Sequence, residues 1–135
     1  MANIFGYNQL YSTEPEIWFV DGYIPIAADG YSVATGAVLP KEVLSLVHNS
    51  TGNFTLKLKH CWYSLQAVDV KTEIPSTDTP AVALVQIDSD NVGAAGTLDG
   101  DQGVTFRLVT TAGSPTDLGA NSGLKILIVL KRNSA

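Results

Sequence analysis

Residues 43–59 read VLSLVHNSTGNFTLKLK, and this stretch carries the clearest structural signal in the chain. In its second half Phe54, Leu56 and Leu58 alternate with polar residues. Because successive side chains of a β-strand point to opposite faces, this period of two predicts a strand with one buried and one solvated face. The five residues NSTGN that separate it from the preceding apolar run are typical of a turn. The stretch therefore predicts an antiparallel hairpin.

Three further segments have the composition of strands, at 81–87, 104–109 and 124–130. The segment 104–109 alternates between apolar and polar residues, which predicts a half-buried strand. The other two are apolar on both faces, so we expect each of them in the middle of a sheet or under a partner. The Gly-, Asp- and Asn-rich residues between these segments, 88–103 and 112–123, are predicted loops.

The beginning of the chain suggests another hairpin. Two apolar runs flank Asp21-Gly22, a dipeptide that is favoured in two-residue hairpin turns. Pro25 cannot donate a hydrogen bond to a neighbouring strand, so its strand is expected at a sheet edge. Weaker patterns predict a short strand within 33–39 and another strand within 62–70.

Together these segments predict an all-β protein. About eight strands separated by turn residues are typical of a sandwich, a jelly roll or a small barrel. No segment has a sustained helical period. The sequence has 135 residues, a length that suits one domain. We therefore predict a single-domain antiparallel β-sandwich or jelly-roll-like fold over residues 17–135. Residues 1–16 are predicted to form an extended, irregular N-terminal arm, with a frayed terminus as the alternative.

Composition restricts the functional classes. The formal net charge is −5, and the Lys and Arg residues are scattered without forming a stripe. Nucleic-acid binding requires clustered cations, so we expect no nucleic-acid partner. Only 16% of the residues are charged, against about 25% in typical soluble domains. Part of the surface is therefore expected to be apolar and covered by a partner. The apolar segments are too short for a transmembrane helix, and we expect no membrane partner.

Catalytic motifs are absent from the sequence, and the protein is predicted not to be an enzyme. His60 and Cys61 are adjacent in a predicted strand, so their side chains should point to opposite faces and form no dyad. Cys61 is expected to be a small buried apolar residue, and His48 a solvated residue beside a turn. No cofactor is predicted.

One loop contains a weak calcium candidate, formed by Asp88, Asp90, Asp99 and Asp101. Its first six residues resemble the start of an EF-hand loop. Val92 stands where a fifth-position ligand belongs, and Asp99 stands where a bidentate Glu is usual. Asp and Gly are also the ordinary residues of turns, which is the simpler interpretation, so no metal site is predicted.

Two patterns in the second half of the chain carry a family resemblance. The first is the hairpin in which a short apolar strand is followed by Gly52 and then by Phe54-Thr55-Leu56. The second runs from strand 104–108 through Ala112-Gly113 and Asp117-Leu118 to a closing apolar strand that ends in KRNS at 131–134. Over residues 43–134 these patterns resemble the accessory capsid proteins of tailed bacteriophages, which are known as decoration or cement proteins.

The resemblance implies a structural virion protein that binds the outer surface of an assembled capsid and stabilises it. The implied partners are the major capsid protein and further copies of the same chain, with a homotrimer favoured. The implied location is the virion surface, after synthesis in the host cytoplasm. The alternative is a carbohydrate- or protein-binding β-sandwich module, such as a tail or fibre component.

Candidate contact residues follow from exposed aromatics. Phe5, Tyr7 and Tyr11 in the arm, together with Trp18, are predicted to bind the partner, because aromatic side chains bury large areas at interfaces. The loops 88–103 and 112–123 are predicted to contribute further contacts. In the alternative function Trp18 and Trp62 would stack on sugar rings, although Trp62 is predicted to be a core residue.

Overall fold

The computed structural model describes residues 17–74 and 82–132. This part of the chain forms seven β-strands and no helix, which confirms the predicted all-β class. None of it forms a helix that could cross a lipid bilayer. The strands are β1 (Ile17–Pro25), β2 (Val43–Ser50), β3 (Asn53–Leu58), β4 (Ser64–Glu73), β5 (Leu84–Asp90), β6 (Gly103–Val109) and β7 (Gly123–Lys131).

The strands form two antiparallel sheets that pack face to face as a β-sandwich. The three-stranded sheet has the order β1-β7-β4, and the four-stranded sheet has the order β2-β3-β6-β5. Every neighbouring pair is antiparallel. The predicted hairpin at 43–59 is present as β2 and β3, and the predicted strands at 104–109 and 124–130 correspond to β6 and β7.

The core lies between the sheets and follows the period-two pattern of the sequence. In β3 and β6, alternate residues such as Phe54 and Phe106 are fully buried, and their rings stack at 5.7 Å. In β7 every second residue faces these strands. Each such side chain removes apolar area from water and contributes about 1.5–3 kcal/mol. The fully buried core residues of β3, β6 and β7 include Phe54, Leu58, Val104, Phe106, Leu108, Leu124, Ile128 and Leu130.

The predicted hairpin at Asp21-Gly22 is wrong. β1 continues through both residues and pairs with β7, with Gly22 opposite Ile126. The missing side chain of Gly22 serves packing, because a Cβ there would lie 2.6 Å from Cγ of Pro40. Pro25 does lie on an edge strand, as predicted.

Of the two positions predicted for the strand at 81–87, the middle of a sheet is wrong, and cover by a partner stays a prediction. β5 occupies the edge of the four-stranded sheet and pairs only with β6 among the described strands. Its apolar residues Leu84 and Ile87 are exposed. The strand has a register shift between Ile87 and Ser89, and bulges of this kind are common at sheet edges. The other two-sided strand, β7, is central as predicted.

Three smaller predictions differ from the structure or lie outside it. Residues 33–39 form no strand, and only an isolated bridge joins Val33 to Ile26. The strand predicted at 62–70 begins later, at Ser64, and extends to Glu73. The arm predicted at 1–16 lies outside the described residues.

Candidate functional site

A cleft of about 420 Å³ lies at one end of the sandwich. Here the start of β1, the start of β2, the β3–β4 connection and the residue after β7 come together, because antiparallel pairing brings these chain positions to the same end. The cleft is lined by Trp18, Phe19, Val20, Asp21, Lys41, Glu42, His60, Cys61, Trp62 and Arg132.

Two tryptophans form the aromatic wall of the cleft, and the side chain of an arginine lies against them. Trp62 is buried, which confirms the prediction that it is a core residue, whereas Trp18 is 48% exposed. Their rings meet edge to face at 5.9 Å. The guanidinium of Arg132 lies 5.9 Å from the Trp18 ring centroid and 5.8 Å from that of Trp62, within the range of cation–π attraction. Arg132 therefore interacts with both rings and restricts their movement.

Glu42 holds the polar side of the cleft in a fixed position. Its backbone has a φ of 74°, a left-handed conformation that non-glycine residues rarely adopt. Its Oε2 accepts hydrogen bonds from Trp62 Nε1 at 2.9 Å and from the His60 backbone N–H at 2.8 Å. Its Oε1 lies 2.8 Å from His60 Nδ1. Residues held in strained backbone conformations cluster at binding and catalytic sites, which makes Glu42 a functional candidate.

The loop between β5 and β6 supports the cleft from behind. Buried Gln102 accepts a hydrogen bond from the Trp62 backbone N–H at 2.7 Å. Asp99 accepts one from the Cys61 N–H at 3.1 Å, and the Cys61 thiol donates to the Thr97 carbonyl at 3.3 Å. These contacts fix the segment that carries Trp62.

Two predictions about His60 and Cys61 are corrected. Both residues lie in the irregular connection before β4, not in a strand. Cys61 is exposed instead of buried. The side chains still have different partners, because His60 contacts Glu42 and Cys61 contacts Thr97.

The outer face of the three-stranded sheet is a second candidate surface. Strand register places Phe19 beside Val129 and Ala67, and Leu127 in the adjacent row. Phe19 is 54% exposed and Leu127 is 44% exposed, and Tyr23 is exposed four residues beyond Phe19 along β1. We call this set the apolar face.

Charged residues flank the apolar face in two adjacent rows. Asp21 and Asp69 stand on either side of Leu127, while Lys125 and Lys71 form the next row with Tyr23. Lys125 Nζ lies 2.6 Å from Glu73 Oε2. The hydrogen bond and the charge of Glu73 raise the pKa of Lys125.

The outer face of the four-stranded sheet is polar along its two central strands, β3 and β6. Thr55 and Thr105 are paired across β3 and β6 and share a hydrogen bond of 3.0 Å. Arg107 pairs with Gln86 in β5 and contacts its side chain. The two edge strands carry apolar exceptions. Val47 on β2 pairs with Thr55 and is 38% exposed, and Leu84 on β5 is 54% exposed.

The end of the sandwich opposite the cleft contains a paired histidine. His48 stacks on Tyr31 at 4.3 Å, and its Nε2 lies 3.0 Å from Asp117 Oδ1, which also accepts the Gly52 N–H. His48 is partly buried by these contacts, so the prediction of a merely solvated side chain is wrong. Asp117 belongs to the loop 112–123, whereas the loop 88–103 adjoins the cleft. The two loops predicted as contacts therefore lie at opposite ends.

No family model, curated protein or solved structure matches this chain. The function is therefore inferred from the cleft and the apolar face themselves.

The structure places the predicted site residues apart. Trp18 lines the cleft, while Phe5, Tyr7 and Tyr11 lie outside the described residues. Three of the four carboxylates of the calcium candidate serve as turn caps or loop anchors: Asp90 accepts the Val92 N–H, Asp99 the Cys61 N–H and Asp101 the Leu98 N–H. The fourth, Asp88, is exposed. No group of three or more metal-ligating side chains occurs within residues 17–74 and 82–132.

Sequence reasoning missed Glu42 and Arg132, and it predicted only the part of the apolar face that lies on the two-sided strand 124–130. Glu42 and Arg132 are 90 positions apart, and no local pattern connects them. A signal for the apolar face was available, since Phe19 and Leu127 stand at outward positions of strands whose inward residues are also apolar. Assigning it required knowing that β1 is one strand and pairs with β7.

Proposed function

We propose that this protein is a structural virion protein, a decoration or cement protein that binds the outer surface of a phage capsid and stabilises it. We further propose that it associates with copies of itself, with a trimer favoured, and that the major capsid protein is its other partner. The proposal includes no catalytic activity and no cofactor. The observation that carries it is the apolar face.

The apolar face has the composition of an interface. Phe19, Tyr23 and Leu127 are exposed on the same side of one sheet, with Asp21 between the two aromatic residues along β1. Exposed apolar residues gathered on one face mark interaction sites on soluble proteins. Covering it would yield about 25 cal/mol for each Å² of apolar surface removed from water. Aromatic residues with charges at the rim are the usual anatomy of protein–protein contacts.

The charges beside this face favour a second copy of the chain as one occupant. An acidic row with Asp21 and Asp69 adjoins a basic row with Lys71 and Lys125. Within one chain Lys71 lies 3.8 Å from Asp69 and Lys125 pairs with Glu73, and all of these ion pairs are exposed and can exchange partners. A copy that approaches with its own rows displaced brings opposite charges together, which fixes register and disfavours other partners. The low charge content of the chain and its resemblance to decoration proteins agree with a permanently assembled state.

Native mass in solution is the first test. Light scattering on a sizing column is expected to give a stable trimer for the full chain. A strict monomer at high concentration would contradict self-association in solution. Co-sedimentation with purified heads of the virus that encodes the chain is the second measurement, and absence of the protein from the head pellet would contradict the decoration function.

The aromatic segment before β1 stays a predicted second contact. Deleting residues 1–14 is expected to leave the fold unchanged and to weaken oligomerisation or attachment to heads. Circular dichroism checks the fold, and the two assays above measure association. Unchanged association after the deletion would count against a role for Phe5, Tyr7 and Tyr11.

A further inference from the structure

We propose that the cleft between Trp18 and Glu42 is a glycan-binding site that takes a neutral pyranose ring. This site is separate in function from the self-association of the apolar face, although Phe19 and Asp21 border both surfaces. Three features of the cleft support glycan binding: its exposed aromatic wall, its balanced charges and the fixed carboxylate of Glu42.

The aromatic wall provides a stacking platform. Nearly half of the Trp18 surface is exposed, while its edge-to-face contact with buried Trp62 and the nearby Arg132 guanidinium hold the ring in place. The C–H face of a pyranose is apolar, and covering a tryptophan with it removes apolar area from water on both partners. A ring that is already braced loses little conformational freedom on binding.

The charges that line the cleft favour a neutral ligand. Lys41 and Arg132 are cationic, and Asp21 and Glu42 are anionic. Because the two cations and the two anions balance, the cleft has no net charge that would attract a quaternary ammonium group, a phosphate or a carboxylate over a neutral ligand. A neutral ligand with many hydroxyl groups can instead accept from the cations and donate to the carboxylates without an unpaired charge.

The polar side of the cleft has free hydrogen-bonding capacity in fixed positions. An ionised carboxylate has about four acceptor sites, and Glu42 uses three of them on Trp62 and His60. One site on Oε1 can therefore accept a sugar hydroxyl. Within residues 17–74 and 82–132 the Arg132 guanidinium faces aromatic rings and no carboxylate, so its N–H groups can donate to ring or hydroxyl oxygens.

The size of the cleft agrees with a small saccharide. Its volume of about 420 Å³ falls within the range of about 300–1,000 Å³ that is typical of small-ligand sites. Such sites combine mostly apolar walls with a few placed polar groups, as here.

Titration of the full chain with neutral disaccharides tests the proposal. Cellobiose, N,N′-diacetylchitobiose and lactose are added while the two indole N–H resonances are followed by NMR. We expect saturable shifts of Trp18 and Trp62 for at least one sugar, with a dissociation constant of about 1 mM or tighter. Charged counterparts, the deacetylated chitosan disaccharide and 3′-sialyllactose, are expected to bind more weakly than their neutral parents.

A pair of variants locates the binding. Trp18→Ala is expected to raise the dissociation constant at least about tenfold, or about 1.4 kcal/mol. Tyr63→Ala is the matched control, because Tyr63 is an equally exposed aromatic residue (52%) that does not line the cleft, and it should bind as the wild type does. Should Trp18→Ala not fold, Lys41→Ala provides the same comparison at an exposed cleft residue.

Three results would overturn the proposal. The first is the absence of saturable shifts with all three neutral sugars. The second is equal weakening by Trp18→Ala and Tyr63→Ala, which would place binding elsewhere. The third is tighter binding of the charged sugars than of the neutral ones. The Leu127→Lys variant described below should retain sugar binding, so loss of self-association and loss of glycan binding remain distinguishable.

Discussion

The two outer faces of the sandwich are built from the same kind of strand and differ in what they present. On the four-stranded sheet the outward residues of the two central strands are mostly polar, as in the hydrogen-bonded pair Thr55 and Thr105, and exposed apolar residues lie singly on its edge strands. On the three-stranded sheet the outward positions hold Phe19, Tyr23 and Leu127, which are exposed. Alternation determines which side chains point outward, but outward positions face water on one sheet and are suited to a partner on the other. The following predictions test that difference, beginning with the largest effect.

The largest expected effect is the difference in stability between a variant at an inward residue of β7 and a variant at an outward residue. Ile128 is fully buried and Leu127 beside it is half exposed. Ile128→Ala removes core contacts and leaves a cavity, so we expect it to lower the free energy of unfolding by about 2–5 kcal/mol. Leu127→Ala should change it by no more than about 0.5 kcal/mol. Urea denaturation, performed under conditions in which the protein is monomeric, measures both values. A similar cost for the two variants would mean that Leu127 is not a surface residue.

The second prediction concerns the cleft that borders the apolar face. Glu42→Ala leaves the buried Trp62 indole N–H without its acceptor, so we expect a loss of about 1–3 kcal/mol in the free energy of unfolding. Glu42→Gly loses the same bonds but relieves the left-handed backbone, and should cost less than Glu42→Ala.

Thermal and urea denaturation compare these two variants. Lys41→Ala is the control, since it changes the adjacent exposed residue, and it should be close to neutral. Neither Glu42 variant should change the native mass of the folded protein. If Glu42→Ala were as stable as the wild type, the hydrogen bonds of Glu42 would not stabilise the cleft.

The third prediction compares the two outer faces directly. Leu127→Lys introduces a charge at the centre of the apolar face, and we expect it to raise the dissociation constant for self-association at least about tenfold. Val47→Lys is the matched control, because Val47 is a similarly exposed apolar residue on the other outer face. Light scattering as a function of concentration measures both. Equal effects of the two substitutions on the dissociation constant would show that the protein does not self-associate through the apolar face.

The smallest expected effect concerns the salt bridge on the apolar face. Because Glu73 raises the pKa of Lys125, the pair stabilises the folded state at neutral pH, and this contribution is lost as pH rises through the raised pKa, above the ordinary lysine value of 10.5. Glu73→Gln should therefore be slightly less stable than the wild type at pH 7, and the difference should vanish at high pH. Both groups are exposed, so the effect is expected to be small and weakened by salt. Denaturation midpoints of the two proteins at several pH values measure it, and a difference independent of pH would contradict this origin.

Part of the fold could be predicted because local alternation reports burial directly. The strands β3, β6 and β7 have apolar residues at every second position, and those residues form the core. The error at Asp21-Gly22 arose because a glycine that favours a turn also permits close packing, and Pro40, far away in the sequence, determines which use applies. The edge position of β5 was missed because an apolar strand contains no information about how many neighbours it has.

Of the candidate site, the sequence singled out the two tryptophans, Trp18 as a contact residue and Trp62 as a core residue or, in the alternative function, a sugar-stacking one. The other components of the site come from four separate parts of the chain, and no spacing in the sequence relates Glu42 to Arg132 or Trp62. The unusual φ of Glu42 was also unpredictable, because no local pattern marks a non-glycine residue for the left-handed conformation.

The sequence by itself determined the class of the fold, the two-sided character of its strands and the scarcity of charge, because these properties depend on residue type and on a period of two. Only the tertiary structure decided strand order, the exposure of the apolar face and the assembly of the cleft. These depend on pairing between strands far apart in the chain, such as β1 with β7, and long-range pairing is set by the fit of the whole core and not by any local segment.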